Sequence, residues 1–111
     1  MSRKAIALSL FFLAAPAIVS AQGPLGGITA VVTDATGSAI PSVGVAVKDL
    51  DTNLAIKSVT QNNGRYQVLN LPVGNYSVTF SKEGFQTEAH TSIIVQGDRV
   101  TTVNGKLEVG T

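Results

Sequence analysis

With 111 residues, a formal charge of +1 and 14% charged side chains, the chain is sized for a single domain. It lacks the basic excess that nucleic-acid binding requires. It has no cysteine and one histidine, which excludes a disulfide scaffold and a thiolate metal site, so the fold must hold by packing alone.

The first residues read as a targeting segment. Arg3 and Lys4 are followed by an uncharged, mostly apolar run over residues 5–15, and Pro16 breaks that run. Val19 and Ala21 put small residues where a signal peptidase cuts, so residues 1–21 are expected to be a secretory signal peptide cleaved before Gln22. The alternative is a retained anchor, because residues 5–21 come near the lower limit of about 17 apolar positions needed to span a bilayer. No later run could cross a membrane. Cleavage removes 21 residues and two of the eight basic side chains, leaving 90 residues with six basic against seven acidic groups, a net charge of −1.

Residues 22–27, Gln-Gly-Pro-Leu-Gly-Gly, read as a flexible linker. From there short β-type runs alternate with turn residues, and no helical period appears. The first strand is expected over 28–33, with Ile28, Ala30 and Val32 on one face. After a turn at 34–38, Pro41 holds Ile40 extended. The second strand, over 43–50, alternates Val43, Val45 and Val47 with Gly44, Ala46 and Lys48, so one side is dry and the other wet. The third, over 55–60, carries Lys57 and Ser58 at its centre, which suits an edge strand. Asn63-Gly64 then gives a hairpin signal, both residue types tolerating positive φ. A short strand over 65–69 puts Tyr66 and Val68 on one side, and Leu71-Pro72-Val73-Gly74 makes a corner. The strand over 75–81 directs Tyr76, Val78 and Phe80 inward. Phe85 falls just after the next turn, placed to cap the core. A sixth strand over 87–95 sets Thr91, Ile93 and Val95 on one face, and a seventh over 99–109 sets Val103, Leu107 and Val109 in phase. Seven short strands at this spacing predict an all-β, antiparallel sandwich over residues 28–109.

Three spaced motifs carry a resemblance. They are Val32-Thr33-Asp34-x-x-Gly37-x-x-Ile40-Pro41-x-x-x-Val45, then Asn63-Gly64-Arg65-Tyr66 with Leu71-Pro72-x-Gly74-x-Tyr76 and Gly84-Phe85, then Ile93-x-Val95-x-Gly97 with Leu107. Together they resemble the carboxypeptidase regulatory-like domain from about residue 27 to 109. The residue before the central glycine is usually Asp in that family and is Asn63 here, which suits the same turn. The resemblance implies a transthyretin-like, carbohydrate-binding-like sandwich of seven strands and an accessory, non-catalytic role. Such domains also follow the signal peptide of bacterial TonB-dependent outer-membrane receptors, in front of the plug. The order of signal, linker and domain looks like that arrangement. Either the chain is a free-standing exported domain or it is the start of a longer gene.

Candidate chemistry is sparse. His90 lies in a polar stretch and reads as an exposed histidine rather than a zinc ligand or triad member. Hydrolases of purine catabolites share the transthyretin-like fold but rely on His and Arg clusters that this chain does not supply. Asp49-x-Asp51-x-Asn53 imitates the start of a calcium loop, but Leu54 stands where glycine is needed and Thr60 where glutamate is needed. Related surface-protein repeats join Lys to Asn through an isopeptide bond; the phase of Lys48 turns it to water, away from any reaction with Asn104. Asn75-Tyr76-Ser77 matches a glycosylation sequon by chance inside a strand. Among the aromatics, Tyr66 and Phe85 are expected to be exposed at the ends of the fold.

The resulting expectation is an exported domain without catalytic residues, cofactor or metal, resident at the periplasmic side of the outer membrane or secreted. It binds a protein partner at the cell envelope through Lys57, Ser58, Tyr66 and Phe85. The alternative is a carbohydrate-binding module with a glycan as ligand, since starch-binding domains share the architecture.

Overall fold

A computed structural model describes residues 23–110. The signal peptide expected over residues 1–21 lies outside the described residues. Among the described residues eight strands form: β1 (Gly26–Asp34), β2 (Gly44–Asp49), β3 (Ala55–Val59), β4 (Arg65–Leu71), β5 (Gly74–Ser81), β6 (Glu88–Val95), β7 (Val100–Thr102) and β8 (Gly105–Leu107). They make two four-stranded sheets that face each other as a sandwich.

In the first sheet β1 is central. It pairs antiparallel with β4, Ala30 opposite Tyr66, and parallel with β7 and then β8 on its other side. In the second sheet the order is β3-β2-β5-β6, antiparallel throughout. The period-2 pattern determines which side chains meet. Ile28, Ala30, Val32, Tyr66 and Val68 from the first sheet close on Val45, Val47, Tyr76, Val78 and Phe80 from the second, all buried. Each fully buried Val or Phe here contributes about 1.5–3 kcal/mol relative to exposure.

The seventh expected strand is two strands in the structure. It breaks at Val103 and Asn104, where the Asn104 Oδ1 accepts the Val31 N–H at 3.2 Å and fills the gap between the two parallel pairings. Val103 and Leu107 enter the core as expected, but Val109 is 71% exposed and only bridges Phe85.

Three further expectations are corrected. The glycines at 26 and 27 are not linker: β1 starts there, and a Cβ on Gly26 would stand 2.2 Å from the Gln96 carbonyl oxygen. Thr91 is exposed, out of phase with Ile93 and Val95, because Ser92 adopts φ 59° and breaks the alternation of β6. The register against β5 shifts beside this point, between Tyr76 and Val78. The Asn63-Gly64 turn does not close a hairpin either, since β3 belongs to the second sheet and β4 to the first. Only Gly64 has positive φ there (75°), and a Cβ on it would lie 2.8 Å from Ala39 Cβ and from the Val32 carbonyl oxygen.

Candidate functional site

β3 is an edge strand, as its central Lys57 and Ser58 suggest. It is positioned by the turn before it. The Asp49 Oδ1 accepts the Asp51 N–H at 2.8 Å and the Thr52 N–H at 3.3 Å, and Asn53 takes φ 65°. The first of the calcium-like side chains, Asp49, is thus engaged in an Asx turn. Among the described residues no three His, Cys, Asp or Glu side chains gather as metal ligands.

The β2–β3 ladder determines which groups of β3 remain free. The Asp49 N–H donates to the Leu54 oxygen at 2.8 Å and the Thr60 N–H to the Val43 oxygen at 3.0 Å, with Val47 opposite Ile56 and Val45 opposite Ser58 between them. Antiparallel bonding falls on alternate residues, so Leu54, Ile56, Ser58 and Thr60 face β2. The N–H and C=O of Ala55, Lys57 and Val59 point outward, away from the sheet. Side chains follow the same alternation: Ala55, Lys57 and Val59 stand on the outer face of the sheet, while Ile56 and Ser58 turn towards the margin between the sheets. The edge is apolar, with Leu54 70%, Val59 59% and Ile56 45% exposed.

The four residues expected to form one surface do not come together. Lys57 is exposed on the outer face, and Ser58 is half-buried opposite Val45. Tyr66 is not exposed: it is 2% accessible, packs edge-on to Phe80 with ring centroids 5.6 Å apart, and donates its hydroxyl to the Val103 oxygen at 2.7 Å. Burial drives its phenol well above the ordinary tyrosine range. Its place opposite Ala30 puts it in the core rather than at an end. Phe85 is half-buried, packs on the core as a cap, and lies beyond β5, on the opposite side of the second sheet from β3. The sequence reading missed the three apolar side chains Leu54, Ile56 and Val59; their spacing in a strand already marked as an edge was the available signal.

Elsewhere, polar groups are engaged in structural roles. The Tyr76 hydroxyl donates to the Pro72 oxygen at 2.7 Å, clipping the corner between β4 and β5. Burial raises its pKa, with the Asp49 and Asp51 charges adding to the effect. The Asp34 Oδ1 accepts the Thr36 hydroxyl at 2.7 Å, the Thr36 N–H at 2.9 Å and the Ser38 N–H at 3.0 Å, which holds its carboxyl below the usual range. His90 is half-buried, not fully exposed, with its ring edge-on to Phe80 at 5.8 Å. Its Nε2 lies 3.2 Å from the Glu88 Oε1 without the alignment of a hydrogen bond, and that oxygen accepts the Lys106 N–H at 2.9 Å. Lys48 is exposed on the second sheet, whereas Asn104 bonds to β1 in the first, so these two residues are not poised for cross-linking. A shallow polar groove on the first sheet is lined by Thr29, Gln61, Arg65, Tyr66 and Gln67.

Comparison with solved structures finds the same sandwich in proteins of very different kinds. A minor pilin of Streptococcus agalactiae, GBS52, superposes with a TM-score of 0.63 at 12% identity, over 79% of this chain and 46% of that one. A putative carbohydrate binding protein from Bacteroides uniformis gives 0.62 at 20% identity, over 77% and 42%. A chlorocatechol 1,2-dioxygenase from Pseudomonas putida gives 0.61 at 15% identity, over 77% and 60%. The chain spans less than two thirds of each of those proteins, and at these identities the likeness is one of fold. No curated protein matches the chain by sequence. The family model for the carboxypeptidase regulatory-like domain matches residues 27–108, which takes in every strand except the first residue of β1. The chain therefore belongs to the carboxypeptidase regulatory-like domain family.

Proposed function

We propose that this is a non-catalytic accessory domain of an exported protein that works by protein–protein contact at the cell envelope, in the setting of an outer-membrane TonB-dependent receptor. The contact surface is the free edge of β3. The observation that carries this reading is the set of outward main-chain groups on Ala55, Lys57 and Val59, flanked by exposed apolar side chains. An edge of this kind is a template for strand addition.

The substitution Lys57→Pro tests it cleanly. Proline removes an N–H that β2 does not use, so the edge loses a donor while the ladder stays whole. A photo-cross-linker at Val59 should capture an envelope protein from the native chain and lose that product in Lys57→Pro, with circular dichroism unchanged. Equal capture by both chains would refute the edge as the contact surface.

A second reading, carbohydrate binding, is favoured by the likeness to a structure described as a putative carbohydrate binding protein. Stacking of sugars would need open aromatic faces, and Tyr66, Tyr76 and Phe80 are all buried. The polar groove at Arg65 and Gln67 offers a place for a glycan, and Phe85 is the half-buried aromatic. A glycan array without signal would dispose of this reading.

A further inference from the structure

Granted that β3 is the contact surface, we infer that it selects an extended segment of a partner protein in which an acidic residue is flanked on both sides by apolar ones. An added antiparallel strand would exchange main-chain bonds with Ala55, Lys57 and Val59, the three residues whose groups are free. The partner residue opposite Lys57 then carries its side chain on the same outer face as the Lys57 ammonium.

That face is positive. Lys48 lies on it opposite Ala55, one diagonal step from Lys57, and neither lysine makes an ion pair among the described residues. The outward side chains of β2, β3 and β5 include no carboxylate. Asp49 falls on the opposite phase and its carboxylate holds the turn. An Asp or Glu opposite Lys57 therefore meets an uncompensated cation, with Lys48 adding to the positive field from two strands away, whereas a Lys or Arg there meets like charge.

The residues on either side of that acid project the other way, over the margin where Ile56 is 45% exposed beside Ser58. Apolar, β-branched side chains at those positions cover Ile56 and favour the extended conformation. The combined preference is apolar–acidic–apolar. A second copy of β3 paired two-fold about Lys57 sets the lysines directly opposite each other, so that register of self-pairing is disfavoured.

The test uses the full, isotope-labelled chain and two capped peptides, Thr-Val-Glu-Val-Thr and Thr-Val-Lys-Val-Thr, followed by nuclear magnetic resonance. The expected result is a shift of the Ala55, Lys57 and Val59 amide signals by the Glu peptide, bound at least about fivefold tighter than the Lys peptide. In Lys57→Glu the preference should invert. Equal binding of both peptides at β3 overturns the charge preference while leaving the edge as a contact surface. No shift from either peptide at millimolar concentration overturns the peptide chemistry proposed, and cross-linking at Val59 then decides separately whether the edge is used. Signals at β3 that move with protein concentration alone overturn it in favour of self-pairing.

Discussion

Replacing Tyr66 by Phe removes one oxygen from the middle of the fold and leaves everything else in place. That oxygen donates to the Val103 carbonyl at 2.7 Å, where the chain leaves β7 and has not yet entered β8. The Val103 N–H is taken by the Thr29 oxygen at 3.1 Å, and the residue is buried, so its carbonyl would be left dry and unpaired. An orphaned buried carbonyl costs about 1–3 kcal/mol. The ring itself, and its edge contact with Phe80 at 5.6 Å, would persist. A domain of this size has about 4–13 kcal/mol of total stability, and each kcal/mol corresponds to about 4–8 °C in Tm. Tyr66→Phe should therefore lower Tm by about 5–20 °C. In urea the midpoint should fall with an unchanged slope. A loss below about 0.5 kcal/mol, within the range of ordinary surface substitutions, would refute the reasoning. So would an unchanged Tm accompanied by weaker partner binding, because Tyr66 would then be acting as a surface residue.

Gly64→Ala combines a φ of 75° with contacts at 2.8 Å on either side and should cost about 2–4 kcal/mol in the same denaturation assay. Lys57→Pro should change stability by less than about 0.5 kcal/mol, whereas Ile56→Pro, which breaks a ladder bond to β2, should cost about 3 kcal/mol. Tyr66 and Tyr76 both have phenols raised above 10.0 in the folded state, so they hold their protons more tightly there than in the unfolded chain. Their contribution is complete below pH 10.0 and is lost as pH rises through the folded values; tyrosinate absorbance and loss of structure should appear together on alkaline titration. Asp34 has the opposite sign: its folded value lies below 3.8, so its contribution is present above that pH and disappears as pH falls through the folded value. Asp34→Asn should flatten the acid limb of the stability curve, measured as Tm against pH.

Strand alternation was legible wherever it was governed by local sequence. Val43, Val45 and Val47 point inward, as do Tyr76, Val78 and Phe80, and the polar centre of β3 marked it as an edge. What the sequence concealed is where the chain crosses between sheets. Asn63-Gly64 has the composition of a hairpin turn, yet Gly64 packs between Ala39 and the Val32 carbonyl, residues distant in sequence, and the chain changes sheet there. Ser92 carries no marker of a left-handed conformation, so the change of phase along β6 was hidden. Tyr66, beside the Asn63-Gly64 turn, has the sequence position of an end residue; it is the second residue of β4, but β4 pairs with the central strand β1 and sets Tyr66 opposite the buried Ala30, in the core. At the candidate site, Lys57 was visible in the sequence, but the identity of the free main-chain groups depends on the β2–β3 register, which no single strand specifies.

The parallel pairing of β1 with β7 and β8 has a mechanical consequence. Because the three run the same way, whatever precedes Gly26 and whatever follows Leu107 depart from opposite ends of the sandwich. Tension applied between those two points pulls β1 and β8 along their own lengths in opposite directions. The load then falls in shear on the pairings from Gly27↔Val100 to Asp34↔Leu107 together, instead of peeling them apart one at a time.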